Sequence, residues 1–166
     1  MQYVRIPEER VKVLIGTEGK TKRLLESRTK CKITIEGNEV SVDGAAADEW
    51  IAKDVVHAVG RGFNPEKALL LLNENYTFML VELDDFTTTA KSLETKRGRI
   101  IGENGRTRRF IERTSGAFVS VYGKTVGILG SFEEVEIAKE GVSVLLSGST
   151  HSSVYRFLEK QRGKKK

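Results

Sequence analysis

The sequence has a single cysteine, only short apolar runs and two histidines. One cysteine, Cys31, excludes an intrachain disulfide and a cysteine-based metal cluster. The longest apolar runs, residues 68–72 and 78–81, are far shorter than the roughly 20 residues that a membrane-spanning helix needs. The N-terminal segment lacks the apolar stretch and cleavage site of a signal peptide. With 39% hydrophobic residues, these absences favour a soluble, cytoplasmic protein that has no membrane partner.

The charges are unevenly distributed along the chain. The net charge of +5 favours an anionic partner only slightly. Residues 10–32 carry eight Lys and Arg against two Glu, residues 96–113 carry seven against two, and residues 156–166 carry six against one. Acidic residues collect instead in residues 74–85 and 133–140. This separation predicts a surface with an electropositive stripe.

The second half of the chain repeats the first at an offset of 86 residues. Over residues 15–62, 14 of 48 positions are identical without a gap. The identical positions include both glycines of a Gly-x-x-Gly segment, which occurs at residues 16–19 and again at residues 102–105. A gap-free match of this length indicates a duplicated domain, and it allows each copy to be compared with the other.

Each copy predicts the element order β-α-α-β-β-α, because short helical segments flank the Gly-x-x-Gly loop and an alternating hairpin follows. This order predicts an α+β fold in which a three-stranded antiparallel sheet packs on three helices. The helices that follow the loops are predicted at residues 20–27 and 106–114, and the closing helices at residues 46–59 and 132–146.

The predicted domains are two, with two further segments. The first covers residues 1–63 and the second residues 75–150. A connecting helix is predicted over residues 64–74, where Asn-Pro begins the helix and a run of leucines indicates burial. A C-terminal helix and a basic tail are predicted over residues 151–166.

The Gly-x-x-Gly segments have the residues that phosphate binding needs. Without Cβ atoms, the glycines allow the loop backbone to approach a sugar–phosphate chain closely. The helix that follows directs its positive N-terminal end to the same phosphates, and its Lys and Arg side chains add full charges. The candidate residues for binding such a chain are Ile15, Gly16, Thr17, Glu18, Gly19, Lys20, Lys22 and Arg23 in the first copy, and Arg99, Ile101, Gly102, Glu103, Asn104, Gly105, Arg106, Thr107, Arg108, Arg109 and Val119 in the second.

The two loops are predicted to differ in strength. Four of the candidates near the second loop are arginines, which hold phosphate better than lysines do because they can bind it bidentately. Glu18 and Glu103 each place a negative charge beside the expected phosphate path. The other residue between the glycines is Thr17 in the first loop and Asn104 in the second. We therefore predict that the second copy is the better site for a sugar–phosphate chain.

Other motifs are weaker. Gly19-Lys20-Thr21 looks like the end of a phosphate-binding P-loop, but Leu14 stands where that motif requires glycine. Asp84 and Asp85 are interpreted as a turn after a strand, since no further carboxylates accompany them. We expect no metal ion, no cofactor and no enzymatic activity. His57 on a closing helix and His151 in a loop are predicted to be structural or exposed, and Trp50 to pack against the sheet.

Helix, Gly-x-x-Gly loop and helix in this strand order resemble the KH domain in its eukaryotic-type (type I) arrangement, here as two tandem copies. A KH domain implies a groove for about four unstacked nucleotides of single-stranded RNA. In this chain the second strand of the sheet, with Ile15 or Ile101, would form the floor of that groove.

The tandem copies, the leucine-rich segment between them, residues 96–107 (KRGRIIGENGRT) and residues 148–155 are similar to one family in particular. This is the partner-of-Nob-one family of small-subunit assembly factors, in its archaeal branch. The resemblance implies a non-catalytic factor that binds near the 3′ end of small-subunit rRNA during its maturation. It also implies protein partners, among them a separate rRNA-processing endonuclease and the alpha subunit of translation initiation factor two.

Two other functions fit the same residues. One is a general RNA-binding module of RNA decay or translation control. The other is a KH scaffold for protein interactions, which the acidic residues Glu18 and Glu103 favour. Whether the first copy binds RNA or protein is open at this stage.

Overall fold

Two copies of one element order make up the fold. The computed structural model describes residues 1–165, with side chains up to Lys164, so the last lysine of the predicted tail lies outside the described residues. The chain divides into a first unit, Met1–Tyr76, and a second unit that begins at Thr77. The predicted order β-α-α-β-β-α is confirmed in both copies. No helix within residues 1–165 is long and apolar enough to cross a membrane.

The elements of the first copy are β1 (Gln2–Arg5), α1 (Glu8–Ile15), α2 (Lys20–Thr29), β2 (Lys32–Glu36), β3 (Glu39–Asp43) and α3 (Ala46–Gly60), followed by α4 (Pro65–Ala68) and a 3₁₀ turn (Leu69–Leu72). Those of the second copy are β4 (Tyr76–Glu82), α5 (Ala90–Ile101), α6 (Arg106–Ser115), β5 (Phe118–Tyr122), β6 (Thr125–Ser131), α7 (Phe132–Leu146) and α8 (His151–Lys165). Asp84 and Asp85 lie in the 3₁₀ turn Leu83–Asp85 that follows β4, as predicted.

Each sheet is antiparallel and has the strand order first–third–second, that is β1-β3-β2 and β4-β6-β5. The second strand of each copy, β2 or β5, therefore lies at one edge. The register pairs Ile33 with Val42 and Val119 with Ile128, and all four side chains are buried. Two-residue turns close both hairpins, with Gly37 or Gly123 at the first central position, where a positive φ is needed.

The helices pack on one face of each sheet because their apolar residues recur at helical spacing. In the second unit, Ile100, Ile111 and Leu145 are fully buried in one core with Ile128. A capping box begins α7: the Ser131 hydroxyl accepts the Glu134 N–H at 3.2 Å, and the Glu134 carboxylate accepts the Ser131 N–H at 2.8 Å.

The segment after α3 is more irregular than a single helix. The Asn64 side chain accepts the Lys67 N–H at 2.8 Å and so caps α4. The α-helix ends at Ala68, and the leucines continue as a 3₁₀ turn in which Leu69 and Leu71 are buried. Both parts pack on α3. This segment therefore folds as part of the first unit.

Two sequence-based expectations about single residues are wrong. Trp50 does not pack against the sheet; it is 58% exposed, and the Lys53 ammonium lies 5.3 Å from its ring centroid. The buried face of α3 includes its neighbour Glu49, whose carboxylate accepts the Gly44 N–H at 3.1 Å, and so Trp50 turns outward. His151 lies in the first turn of α8 rather than in a loop.

Candidate nucleic-acid interface

Each Gly-x-x-Gly loop is a single tight turn between two helices. Gly102 ends α5 by donating its N–H to the Gly98 carbonyl at 2.8 Å, and Gly105 donates its N–H back to the Gly102 carbonyl at 3.2 Å. Both glycines have positive φ, 75° and 76°. Gly16 and Gly19 in the first copy have almost the same φ, 73° and 74°. Both predicted loops therefore have one backbone shape.

The first glycine of each loop is required sterically as well as conformationally. A Cβ on Gly102 would overlap the hydroxyl of Thr107, and a Cβ on Gly16 would overlap that of Thr21. The threonine that recurs two residues after each loop is therefore the group against which the first glycine packs.

The residue before the second glycine also adopts the left-handed conformation. Asn104 and Glu18 share φ 55° and ψ 27°. Asparagine tolerates this region, whereas a longer side chain such as glutamate does so at a larger cost. The second loop therefore adopts the shared backbone shape with less strain than the first. The side chains of Asn104 and Glu18 are exposed, as are those of Thr17 and Glu103.

Two cations of each loop helix are free to meet a phosphate chain. Arg106 and Arg109 are exposed in the second copy, and Lys20 and Arg23 occupy the matching positions in the first. The Nη1 atom of Arg109 lies 2.9 Å from where a Cβ on Gly105 would stand, so its guanidinium lies beside the second glycine. Arg23 has the same relation to the first copy's second glycine, at 3.1 Å.

The third residue of each loop helix is a cation that is paired with a glutamate. Arg108 Nη1 lies 2.6 Å from Glu112 Oε1, and Lys22 Nζ lies 3.6 Å from Glu26 Oε1. Sequence reasoning did not include these glutamates in the site. The repeat could have pointed to them, because glutamate occupies this position in both copies. The structure places Arg108 and Lys22 on the loop helices, each beside a carboxylate.

Arg99 is half-buried, and its guanidinium is bound to a carbonyl of the same unit. Its Nη2 donates to the Ser149 carbonyl, and Lys96 Nζ donates to the Leu146 carbonyl at 2.7 Å. These contacts satisfy carbonyls at and just beyond the end of α7, which have no partner within the helix. We therefore leave Arg99 out of the proposed phosphate contacts.

The first copy makes the corresponding bonds with a single arginine. Arg10 matches Lys96 in the repeat, and its guanidinium donates to the Val59 carbonyl at 2.8 Å and the Phe63 carbonyl at 2.9 Å. Phe63 matches Ser149 at the same offset of 86 residues. The two copies therefore use different side chains to bond the backbone carbonyls at the end of the closing helix.

The apolar candidates lie at different depths. Ile15 and Ile101, the last residues of α1 and α5, are half-buried beside the loops. The Val119 side chain is buried in the core of the second unit. Val119 therefore supports the sheet from within, and its N–H is bound by the Glu112 carboxylate at 2.9 Å.

Residues 9–75 and 77–163 each match the family described as the eukaryotic-type KH domain (KH domain type I). The KH domain-containing protein MJ0443 of Methanocaldococcus jannaschii is 42% identical over 172 residues, which cover 99% of this chain and 75% of that protein. The RNA-binding protein pno-1 of Caenorhabditis elegans is 33% identical over 107 residues, which cover 63% of this chain and 39% of that protein. The pre-rRNA-processing protein PNO1 of Yarrowia lipolytica is 32% identical, with 81% and 49% covered.

The comparison with solved structures indicates the same family. Dim2p from Pyrococcus horikoshii superposes with a TM-score of 0.90 at 48% identity, covering 96% of this chain and 98% of that one. A second structure, described as the a/eIF2alpha–aDim2p–rRNA complex of the same organism, gives 0.90 at 47% identity, covering 98% and 94%. The chain therefore belongs to the eukaryotic-type (type I) KH-domain family, in the branch that contains the pno-1 proteins and archaeal Dim2p.

Proposed function

We propose that this protein binds single-stranded RNA chiefly through the Gly102–Gly105 loop and α6, as a non-catalytic factor in maturation of the 3′ end of small-subunit rRNA. The observation that carries the proposal is the positive-φ turn between two helices, with the exposed Arg106 and Arg109 beside it. Glycine backbone and arginine charge together suit a phosphate chain. The archaeal relative at 47% identity, whose structure is described as a complex with rRNA, supports the choice of RNA.

The proposed dominance of the second copy depends on two differences between the loops. Asn104 fits the left-handed position better than Glu18 does, and it carries no charge. The exposed cations beside the loop are Arg106 and Arg109 in the second copy, and Lys20 and Arg23 in the first. Both differences lower the cost of bringing a phosphate to the second loop.

The proposed partners are RNA and protein. The same relative supports the alpha subunit of initiation factor two as a partner, because that complex contains both molecules. An rRNA-processing endonuclease is proposed as the enzyme beside which the protein acts, and the cytoplasm as its location. The protein itself is proposed to cleave no RNA. Incubation of the pure protein with labelled rRNA and Mg²⁺ tests this, and metal-dependent cleavage would contradict it.

Binding over a salt series tests the main proposal. Fluorescence anisotropy would compare a single strand of 12 nucleotides from the 3′ end of small-subunit rRNA with a scrambled strand. We expect tighter binding to the first, and a fall of about 0.7 in the salt slope for each phosphate contact that is removed. Replacing Arg106 and Arg109 by glutamine is expected to lower the slope by more than the matched replacement of Lys20 and Arg23.

A second candidate function, a scaffold for protein interactions, is favoured by the exposed carboxylates of Glu18 and Glu103. A scaffold would bind both strands weakly and without preference. Tight binding of both strands alike would instead favour the general RNA-binding module. Only a preference for the rRNA strand, together with weaker binding on replacement of Arg106 and Arg109, supports the proposed function.

A further inference from the structure

Helix α8 contacts both helices that flank the second loop. The His151 Nε2 atom lies 3.1 Å from the carbonyl oxygen of Arg99, in the last turn of α5. The Tyr155 hydroxyl lies 3.2 Å from the Thr107 hydroxyl, in the first turn of α6. His151 and Tyr155 are four residues apart and so lie on one face of α8. This one face therefore spans the two ends of the loop.

Tyr155 contacts the Thr107 hydroxyl, which is the group that packs against the loop. Thr107 is only 2% exposed, and its hydroxyl is the atom against which Gly102 packs. A hydrogen bond to the threonine hydroxyl favours the side-chain rotamer that makes it over the other rotamers. The bond to Tyr155 therefore fixes how Thr107 meets Gly102.

Tyr155 is itself held in place by its ring. The ring stacks on Phe110 of α6, with the centroids 4.2 Å apart and the planes inclined by 29°. The His151 ring meets the edge of Tyr155 at 6.3 Å. Next to His151 and Tyr155 on α8, Val154 and Leu158 are fully buried in the core of the second unit. The tyrosine hydroxyl is therefore presented to Thr107 by a packed helix.

The first copy has a threonine at the matching position, Thr21, but no tyrosine is hydrogen-bonded to it in the part of the chain that the structure describes. Thr21 lies against Gly16 as Thr107 lies against Gly102. Within residues 1–165, however, the Thr21 hydroxyl has no hydrogen-bond partner. Leu24 stands where the second copy has Phe110, and it is 43% exposed. The tyrosine contact therefore distinguishes the second loop from the first.

We propose that Tyr155 is a positioning residue for RNA binding: through Thr107 it holds the Gly102–Gly105 loop in its phosphate-binding shape. The C-terminal helix thereby sets the affinity of the second copy without contacting RNA through this tyrosine. This role is in addition to the loop and arginine contacts described above, and its effect on RNA affinity rests on the proposed function.

The test is Tyr155→Phe in the full chain, which removes the hydroxyl and keeps the stacked ring. Hydrogen exchange would measure the amides of residues 102–105 and 16–19, and a salt series would measure RNA affinity. We expect faster exchange in the second loop alone and a loss of affinity of roughly three- to tenfold, as the loss of one hydrogen bond predicts. The salt slope is expected not to change, because no phosphate contact is lost.

Tyr3→Phe is the matched control, since the Tyr3 ring is exposed in the first unit and its hydroxyl lies 3.1 Å from the Met1 sulfur. We expect it to change neither loop exchange nor affinity. Unchanged exchange in Tyr155→Phe would overturn the proposal, and so would a salt slope lowered by about 0.7, which indicates direct contact of the tyrosine with phosphate. If the wild-type chain binds no RNA, the proposed function fails, while exchange still decides whether Tyr155 orders the loop.

Discussion

The Glu112 carboxylate accepts the backbone N–H of Val119 at 2.9 Å, and this bond joins the helix after the second loop to the edge strand β5. Glu26 makes the same bond to Ile33 at 2.9 Å in the first copy. The other oxygen of each carboxylate pairs with the loop-helix cation one turn earlier. A glutamate at the same position in each copy thus joins the loop helix to the strand beside it and also pairs with a cation.

Glu112→Gln is expected to increase RNA affinity about threefold, because Arg108 loses its charged partner and becomes available to a phosphate. The glutamine side-chain oxygen still accepts the Val119 N–H, so the fold is expected to persist. A salt series on a short single strand is expected to show a slope steeper by about 0.7. Glu26→Gln, which releases Lys22 in the weaker copy, is the control and should give a smaller gain. Weaker binding by Glu112→Gln with unchanged stability would contradict this account of Arg108.

Gly102→Ala is expected to destabilise the second unit by about 2 kcal/mol or more, since a methyl group there meets Thr107 and φ is positive. Gly98→Ala is the matched control on the same helix. Its Cβ would meet nothing within 4 Å, so we expect a gain of roughly 0.5–1 kcal/mol from helix propensity. Urea unfolding followed by hydrogen exchange in β5 and β6 measures both. Equal effects of the two substitutions would refute the steric requirement at Gly102.

Asn104→Asp is expected to weaken RNA binding more than Thr17→Asp does. Aspartate tolerates the left-handed backbone of Asn104, so folding should be retained and the added charge should be the main change. It would stand beside Glu103 and repel the phosphate that the second loop binds. Anisotropy on one short strand compares the two variants, with circular dichroism as the check on folding. Equal losses, or none from Asn104→Asp, would reject the dominance of the second copy.

Glu18→Asn is expected to stabilise the first unit by about 0.5–1 kcal/mol, because asparagine suits the left-handed position at φ 55° better than glutamate does. Hydrogen exchange of the β2 and β3 amides measures the gain. Glu103→Asn removes the same charge at a loop position without positive φ and is the control. If Glu103→Asn stabilises its unit as much, then charge rather than backbone strain explains the effect.

Leu158→Ala is expected to cost about 2–4 kcal/mol in the second unit, because the side chain is fully buried where α8 packs on α7. Gly141 on α7 lies close to it: a Cβ there would stand 2.9 Å from Leu158 Cδ2. Lys160→Ala, on the exposed side of α8, is the control. Thermal unfolding of the full chain measures both. No difference between them would mean that α8 is not part of the second unit's core.

Much of the fold could be predicted because the repeat contains each helix and strand twice, so each prediction could be made from two stretches of sequence. Gly37 with Gly123, and the loop glycines, mark turns that the backbone requires wherever they occur. The β-α-α-β-β-α order and the helix–loop–helix positions of Gly16 and Gly102 follow from such local signals.

The side-chain partners could not be predicted, because they depend on elements far apart in the chain. The neighbours of Arg99 in the sequence predict a phosphate contact but give no sign of its bond to the Ser149 carbonyl, which lies 50 residues away. Tyr155 and Thr107 are 48 residues apart, and no periodic pattern links them. The prediction that Trp50 packs against the sheet is wrong because Glu49, and not Trp50, lies on the buried face of α3. A buried glutamate cannot be recognised from an apolar pattern in the sequence.

A crosslinking map of RNA bound to the protein in cells tests the central claim most directly. We predict that the crosslinked RNA comes from the 3′ end of small-subunit rRNA, and that the crosslinked peptides come mainly from residues 101–109. Crosslinks spread over many unrelated transcripts, or confined to the first copy, would contradict the account.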